Sequence, residues 1–263
     1  IEATNEGAKS GNARGENSVD LQTIRSAATQ VASGTSSSIL GGRNNTAGGS
    51  YTSAIGGFTN TIGTSTDGSV ILGGTQNEVA NNSTYSAIVG GGSCTTDSDY
   101  SLASGIRAKT KRTGTTAVGG GDGSTFTDGE AQCGQAVWSG RTTNNSATEL
   151  FLTNDGSSRF TLDSNSAVTF DIQLVAVDEA SPSTINAGAI FLGTIVNAGG
   201  TTAIGGQGSV TKTANPSTLF AAGGADADVT ADNTNDSLKI TVTGITGKNI
   251  RWVCSMKYTE VAI

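Results

Sequence analysis

The amino-acid sequence predicts an all-β protein in which a glycine-rich β-roll or β-solenoid is followed by a jelly-roll-like β-sandwich. Glycine accounts for 38 of 263 residues, β-branched residues are frequent, and strong helix formers are sparse. A short repeat runs through the first half, and apolar and polar residues alternate strictly in the second. We therefore expect a tether or collar at 1–28, solenoid repeats at 29–123 and a sandwich knob at 124–263.

The first of these segments is polar and carries three regularly spaced glycines. Only residues 19–24 have a mixed apolar pattern. This composition favours an extended tether or collar, and a short helix over 19–27 is the alternative interpretation.

The solenoid is predicted from a repeat in which a few apolar residues precede a glycine pair. Four clear copies and two weaker ones occupy 38–42, 53–57, 70–74, 87–91, 102–105 and 116–120. The first glycines of the clear copies lie 15, 17 and 17 residues apart. An asparagine follows each of the first three pairs, at Asn45, Asn60 and Asn77. Such a period is typical of stacked repeats.

Each copy has the composition of one narrow rung. Glycine supplies the positive φ that a sharp corner needs, and asparagine tolerates the same region of backbone space. A rung of about 15 residues encloses little core, so rungs must stack to bury their apolar side chains. Because apolar surface remains on the outside of so thin a rod, we expect several solenoids to pack side by side.

The repeat pattern Ser-x-Ala/Ile-x-Gly-Gly-x-x-Asn resembles the head repeats of trimeric autotransporter adhesins, which also occur in tail fibres of tailed bacteriophages. The resemblance covers about residues 29–123 and implies left-handed β-rolls packed as a homotrimer. The only aromatic residues near the C-terminus are Trp252 and Tyr258. So low an aromatic content is unlike the membrane anchor of the bacterial adhesins, so the phage version is favoured and no membrane insertion is expected.

Strands of the second half are predicted from period-two alternation. The clearest runs place apolar residues on one face at 168–174, 238–242 and 250–258. About eight strands separated by Gly, Asn and Asp turns indicate a β-sandwich or jelly roll. The stretch from Asp232 to Trp252 resembles the C-terminal domain of many phage fibre and virion-appendage proteins.

Charge and cysteine content narrow the partners and the compartment. The net charge of −7 opposes nucleic-acid binding, and the basic run at 107–112 is interpreted as a solvated turn. Three cysteines without a Cys-x-x-Cys pair suit folding in a reducing cytosol, here that of the host cell.

The sequence contains no recognisable catalytic constellation. Histidine is absent, which removes the commonest general base, and no Gly-x-Ser-x-Gly motif occurs. The fragment Gly119–Gly123 is a single imperfect copy of a calcium or phosphate loop and is interpreted as a solenoid corner. We expect no enzymatic activity. A polysaccharide-degrading fibre with paired carboxylates, or a self-cleaving domain, is the alternative.

Acidic residues cluster at Asp226, Asp228, Asp232 and Asp236. They could supply oxygen ligands to Ca²⁺, but calcium needs six or more, and turn formation is the favoured interpretation. No cofactor is therefore expected. Tyr51, Tyr85 and Tyr100 each precede a repeat strand and are interpreted as caps of the small core or contacts with a neighbouring chain; stacking on sugars is the alternative.

These observations predict a structural and adhesive virion fibre or spike of a bacteriophage, a homotrimer that mediates host attachment. Its N-terminus would contact other virion proteins, and its ligand would be a host-surface glycan or protein. A capsid-surface fibre or decoration protein is the alternative location. Because binding residues concentrate on loops of a rigid scaffold, we expect the receptor site in and beside the predicted loop 223–235. Its residues are Phe220, Asp226, Asp228, Asp232, Asn233, Asn235 and Asp236.

Overall fold

The computed structural model describes residues 12–121, 123–182, 186–205, 210–214, 220 and 224–263. The chain divides into two compact units, Ile1–Gln132 and Cys133–Ile263. Each of its regular elements in the described residues is a β-strand. No helix in this part of the chain is long and apolar enough to cross a membrane.

The first unit is a parallel β-solenoid. One column of strands consists of β1 (Val19–Asp20), β2 (Ser38–Ile39), β4 (Ser53–Ala54), β6 (Val70–Ile71), β8 (Ala87–Ile88), β10 (Leu102–Ile106) and β12 (Thr116–Gly120). The other consists of β3 (Thr46–Ala47), β5 (Thr61–Ile62), β7 (Glu78–Val79), β9 (Thr95–Thr96) and β11 (Lys109–Thr110). Neighbouring strands of a column pair in parallel without a register shift, as Val70 with Ala87. In the described residues the first column has seven rungs, which confirms the predicted solenoid.

Most rungs contribute one apolar side chain per column to the interior, and Asp20, Thr96 and Thr110 are polar exceptions. Ile39, Ala54 and Ile71 face inward from the first column, Ile62 and Val79 from the second, and all are 0% exposed. Their neighbours in each two-residue strand face outward, because side chains alternate along a strand. The core is therefore a thin line of residues that is continuous only because the rungs stack.

A ladder of buried asparagines lines one corner of this interior. The Oδ1 of Asn60 accepts a hydrogen bond from the backbone N–H of Asn77 at 3.1 Å. Its Nδ2 donates to the carbonyl oxygens of Gly56 at 2.8 Å and Gly74 at 3.0 Å. Asn45 and Asn77 repeat the pattern on the rungs before and after. These side chains add to the backbone hydrogen bonds that connect consecutive rungs at this corner, such as Thr46 N–H to Asn60 O at 2.9 Å.

The solenoid begins within residues 1–28, the segment predicted as a tether or collar. Val19 and Asp20 of β1 already pair in parallel with Ser38 and Ile39, and 19–27 do not form a helix. The inward positions here hold buried polar residues: Arg25 Nη1 lies 3.4 Å from the Asp20 carboxylate, and the Gln22 amide accepts the Asn45 N–H at 2.9 Å. Polar residues at inward positions concealed the repeat. Residues 1–11 lie outside the described part of the chain.

The second unit is built from antiparallel strands. They are β13 (Ala131–Thr142, beginning in the first unit), β14 (Ala147–Leu152), β15 (Phe160–Thr161), β16 (Ser166–Asp178), β17 (Asn186–Asn197), β18 (Thr202–Ile204), β19 (Thr211–Ala214), β20 (Asp226–Asp232), β21 (Ser237–Thr243) and β22 (Ile250–Ala262). Strand β16 pairs along its length with β17 and β22, while β21 pairs with β14, β15 and β20.

One hydrophobic core is shared by these strands except β19, whose four residues are exposed. Alternate residues of β22 are buried from Ile250 to Tyr258, as the sequence pattern predicts. Trp252 is fully buried, and its indole N–H donates to Thr142 Oγ1 at 2.9 Å. The rings of Phe160 and Tyr258 meet edge to face, with centroids 5.0 Å apart. Aromatic packing of this kind is absent from the thin interior described for the solenoid.

The three cysteine thiols differ in environment, which predicts selective reactivity. Burial raises the pKa of Cys254 to about 12 and also raises that of Cys94, whereas Cys133 is exposed. Since the thiolate is the reactive form, we expect one fast thiol per native chain towards a disulfide reagent such as DTNB, and three after unfolding. The Cys133→Ser variant should lose the fast reaction, and two or more fast thiols in the native protein would contradict this assignment.

Candidate functional site

The prediction of a loop at 223–235, where the receptor site was expected, is corrected, because most of this segment forms strand β20. Residues 226–232 pair with β21 in antiparallel register, for example Val229 with Ile240. Ala227 and Val229 face the core, while Asp226 and Asp228 are exposed on the outer face. The alternation was present in the sequence, but its outward positions hold aspartates, which favour turns, and its inward residues are small.

The last residue of β20, Asp232, and the residues that follow it form the β20–β21 turn. The Asp232 carboxylate accepts the N–H groups of Thr234 and Asn235 at 3.0 and 3.2 Å and a 2.7 Å bond from the Asn235 amide. The hydrogen bond from the Asn235 side-chain amide and the two backbone N–H donors lower the pKa of Asp232 despite its partial burial. Turn formation, the favoured interpretation of this acidic stretch, describes Asp232 and Asp236, whereas Asp226 and Asp228 lie on strand β20. The described residues hold no group of three or more Asp, Glu, Cys or His placed to bind a metal ion.

Two further predicted receptor residues connect this turn to β18. Asn233 Oδ1 accepts the Thr202 N–H at 2.6 Å, and Asp236 Oδ1 accepts the Thr202 hydroxyl at 2.7 Å. Asp236 also has a positive φ of 47°. These contacts give both side chains a structural role in the described unit.

Phe220 lies near a different set of groups. Its ring centroid is 6.4 Å from that of Trp252, and Lys212 Nζ lies 5.7 Å from it. Lys212 also forms an ion pair with Asp226. Phe220 therefore packs against the core, and the predicted receptor residues divide between a core contact, a strand face and a turn.

The solenoid displays a straight row of apolar side chains on its outer surface. Each member follows the inward residue of a first-column strand, and each is 38–51% exposed. The row consists of Leu21, Leu40, Ile55, Leu72, Val89 and Val118, with Ser104 in register before the last. The backbone N–H of each of the first five bonds to the next rung, as Leu72 N–H to Ile88 O at 3.0 Å. At about 4.8 Å per rung the row extends for roughly 29 Å.

The three tyrosines of the repeats form a second outward feature. Tyr51, Tyr85 and Tyr100 are 59–69% exposed and have positive φ angles of 52–57°. The Tyr85 and Tyr100 rings stack with centroids 5.5 Å apart, and the Tyr85 ring lies over Gly68, which takes the same position one rung earlier. The rings stand outside the core, so they do not cap it, and contact with a neighbouring chain, the other half of the interpretation, stays a prediction.

A polar depression of about 480 Å³ lies in the second unit between residues that are far apart in sequence. Its rim carries Arg141 of β13, Arg251 of β22 and Glu179, the residue after β16. Arg141 Nη2 donates to Glu179 Oε2 at 2.7 Å, and Arg251 Nε donates to Glu179 Oε1 at 2.6 Å. Hydrogen bonds from Arg251 and Arg141 lower the pKa of Glu179, so its carboxylate is ionised at neutral pH. Sequence reasoning missed this site.

No protein-family model matches the chain, and no curated protein sequence matches it. Among solved structures, it is similar to tailspike gp49 of Acinetobacter baumannii bacteriophage Fri1, a capsular polysaccharide depolymerase, with a TM-score of 0.32 and 12% identity. The tailspikes of Acinetobacter phage vB_ApiP_P1 and A. baumannii phage AM24 give TM-scores of 0.24 and 0.25 at 6% and 10% identity. The alignments cover 86%, 93% and 93% of this chain.

The chain spans about half the length of these tailspikes, with 47%, 54% and 47% of them covered. The similar structures include a polysaccharide depolymerase, so the expectation that the chain is not an enzyme is corrected. The absence of a catalytic motif did not justify that expectation, because paired carboxylates act through their separation in space, which a motif search does not measure.

Proposed function

We propose that the chain is a fibre or spike protein of a tailed bacteriophage that assembles as a homotrimer and attaches the virion to a host-surface glycan. The observation that carries the proposal is the row of exposed apolar side chains along the solenoid, defined above from Leu21 to Val118. The row is uninterrupted from Leu21 to Val89, and a contiguous exposed apolar surface marks an interaction site. The row is straight and in register, so its natural partner is the same row on another copy.

Three copies suit this row better than two. It is one side chain wide, and in a trimer around a common axis each row contacts two others, so both of its flanks are covered. Closed cyclic symmetry also leaves no free row to continue the assembly into a filament. The resemblance of the repeats to head repeats of trimeric adhesins and phage fibres supports the same arrangement.

The remaining parts of the proposal follow the same layout. The second unit would be a β-sandwich knob, and the N-terminal end would contact other virion proteins of a tail or capsid. Three copies of the knob would bind glycan with avidity, because linked weak sites gain effective concentration. The receptor contact predicted at Phe220 and 226–236 stays a prediction. Degradation of the bound polysaccharide is the second candidate function, since the expectation against enzymatic activity has been corrected.

We expect sedimentation of the native protein to give three times the mass of one chain. The double variant Leu72→Ser and Val89→Ser should shift this mass to that of a monomer, because it removes two adjacent apolar members of the row. Glu78→Ser, an outward substitution in the second column, is the matched control and should stay trimeric. A stable monomeric wild type, or a double variant that remains trimeric, would contradict the packing.

Attachment is tested by binding the trimer to a panel of encapsulated bacteria and their capsule-null derivatives. Binding that requires the capsule supports the glycan ligand, and equal binding to both strains refutes it. Release of new reducing ends from the purified capsule would identify the second candidate function.

A further inference from the structure

The Arg141–Glu179–Arg251 depression has a charge that contrasts with the rest of the chain. Two guanidinium groups and one carboxylate leave it with one net positive charge, whereas the chain as a whole has a net charge of −7. Such a local excess attracts an anionic ligand. Each arginine has five N–H donors, and each gives Glu179 one hydrogen bond, so donors of both groups remain for a ligand.

Glu179 holds the two guanidinium groups in position. Its own backbone N–H donates to Asn249 O at 2.8 Å, next to the ion pair in which Lys248 Nζ lies 2.8 Å from Asp178. Arg251 lies on the long strand β22 and is the register partner of Val177 on the adjacent strand β16. The cations are thus placed by regular strands and one fixed carboxylate, an arrangement that reduces the entropy lost when a ligand binds.

The rest of the lining suits a sugar. Ser139 and Asn154 provide a hydroxyl and an amide beside the cations. The volume of about 480 Å³ lies within the range of small-molecule sites, roughly 300–1,000 Å³. The depression opens to solvent, so it can accept one unit of a long polymer without requiring a chain end.

We propose that this depression binds the carboxylate of an acidic sugar, such as a uronic or sialic acid, within a surface polysaccharide. The planar guanidinium fork matches the geometry of a carboxylate, and the neighbouring hydroxyl and amide contact the sugar ring. The inference rests on the proposed function for the source of the sugar, and it adds the ligand class and a site separate from Phe220 and β20.

The test measures binding of the trimer, by calorimetry, to a panel of oligosaccharides containing glucuronate, galacturonate or sialate, together with their methyl esters. At least one acid should bind at least tenfold more tightly than its ester. Arg141→Gln and Arg251→Gln should each weaken that binding about tenfold, as expected for loss of one charge-assisted hydrogen bond. Arg159→Gln is the matched control, because Arg159 pairs with Glu149 at 2.8 Å outside the depression.

The inference would be overturned by no binding of any acidic member of the panel, by equal binding of acid and ester, or by unchanged binding of both arginine variants. Inorganic phosphate that competes as well as the sugar acid would also overturn it, since the site would then recognise a simple anion. The sedimentation and capsule-binding measurements stand apart from this test. A trimer that binds cells only when they carry a capsule, but binds no acidic sugar, would refute only this inference. A monomer that binds an acidic sugar would refute only the proposed trimer.

Discussion

Replacing Gly57 with alanine is expected to destabilise the solenoid strongly. Gly57 has a φ of +86°, where an L side chain costs about 1–2 kcal/mol. A Cβ at this position would also overlap the carbonyl oxygen of Gly74 on the next rung and lie 2.6 Å from Asn60 Nδ2. Since that carbonyl accepts the Phe58 N–H at 3.0 Å, the clash separates neighbouring rungs. The midpoint of denaturant unfolding should fall well below that of the wild type.

The adjacent glycine provides the matched control for this experiment. A Cβ at Gly56 would have no atom within 4 Å, and its φ is not in the left-handed region. Gly56→Ala should therefore change the free energy of unfolding by no more than about 0.5 kcal/mol. Equal stability of the two variants would show that the second glycine of the pair has no special backbone role.

This difference within one glycine pair explains how far the solenoid could be predicted. The second glycine of each pair and the following asparagine repeat because each has a backbone role that few other residues can fill, so the pattern is visible in the sequence. The rungs before residue 29 have no such pattern. Asp20, Gln22 and Arg25 occupy the inward positions there and satisfy one another by hydrogen bonds and an ion pair.

In the second unit, prediction succeeded where side chains alternate between large apolar and polar types. Strands β16, β21 and β22 have this pattern. Strand β20 has small inward residues between aspartates and was predicted as a loop. The arginine depression was beyond a motif search, because Arg141 and Arg251 lie 38 and 72 residues from Glu179. They meet only through the pairing of long strands.

The asparagine ladder leads to the second large expected effect, that of Asn60→Asp. The aspartate keeps the shape of the side chain and can still accept the Asn77 N–H, but its carboxylate cannot donate to the Gly56 and Gly74 carbonyl oxygens. Asn60 is 0% exposed, so the new charge would also be buried. Each buried polar group left without its partner costs about 1–3 kcal/mol, and the uncompensated charge adds to this. At pH 7 we expect a larger loss of stability than for Gly57→Ala.

The loss should depend on pH in a defined direction. Burial without a cationic partner raises the pKa of the new carboxyl group in the folded state above its unfolded value of about 3.9. The folded state then binds the proton more tightly than the unfolded state. The deficit relative to the wild type should therefore be smallest below about pH 4, where the protonated group can donate to one carbonyl, and should grow as the pH rises through the folded-state pKa. Asn82→Asp, at an exposed position, should show no such trend. A deficit that is constant between pH 4 and 7 would contradict the buried, donating role of Asn60.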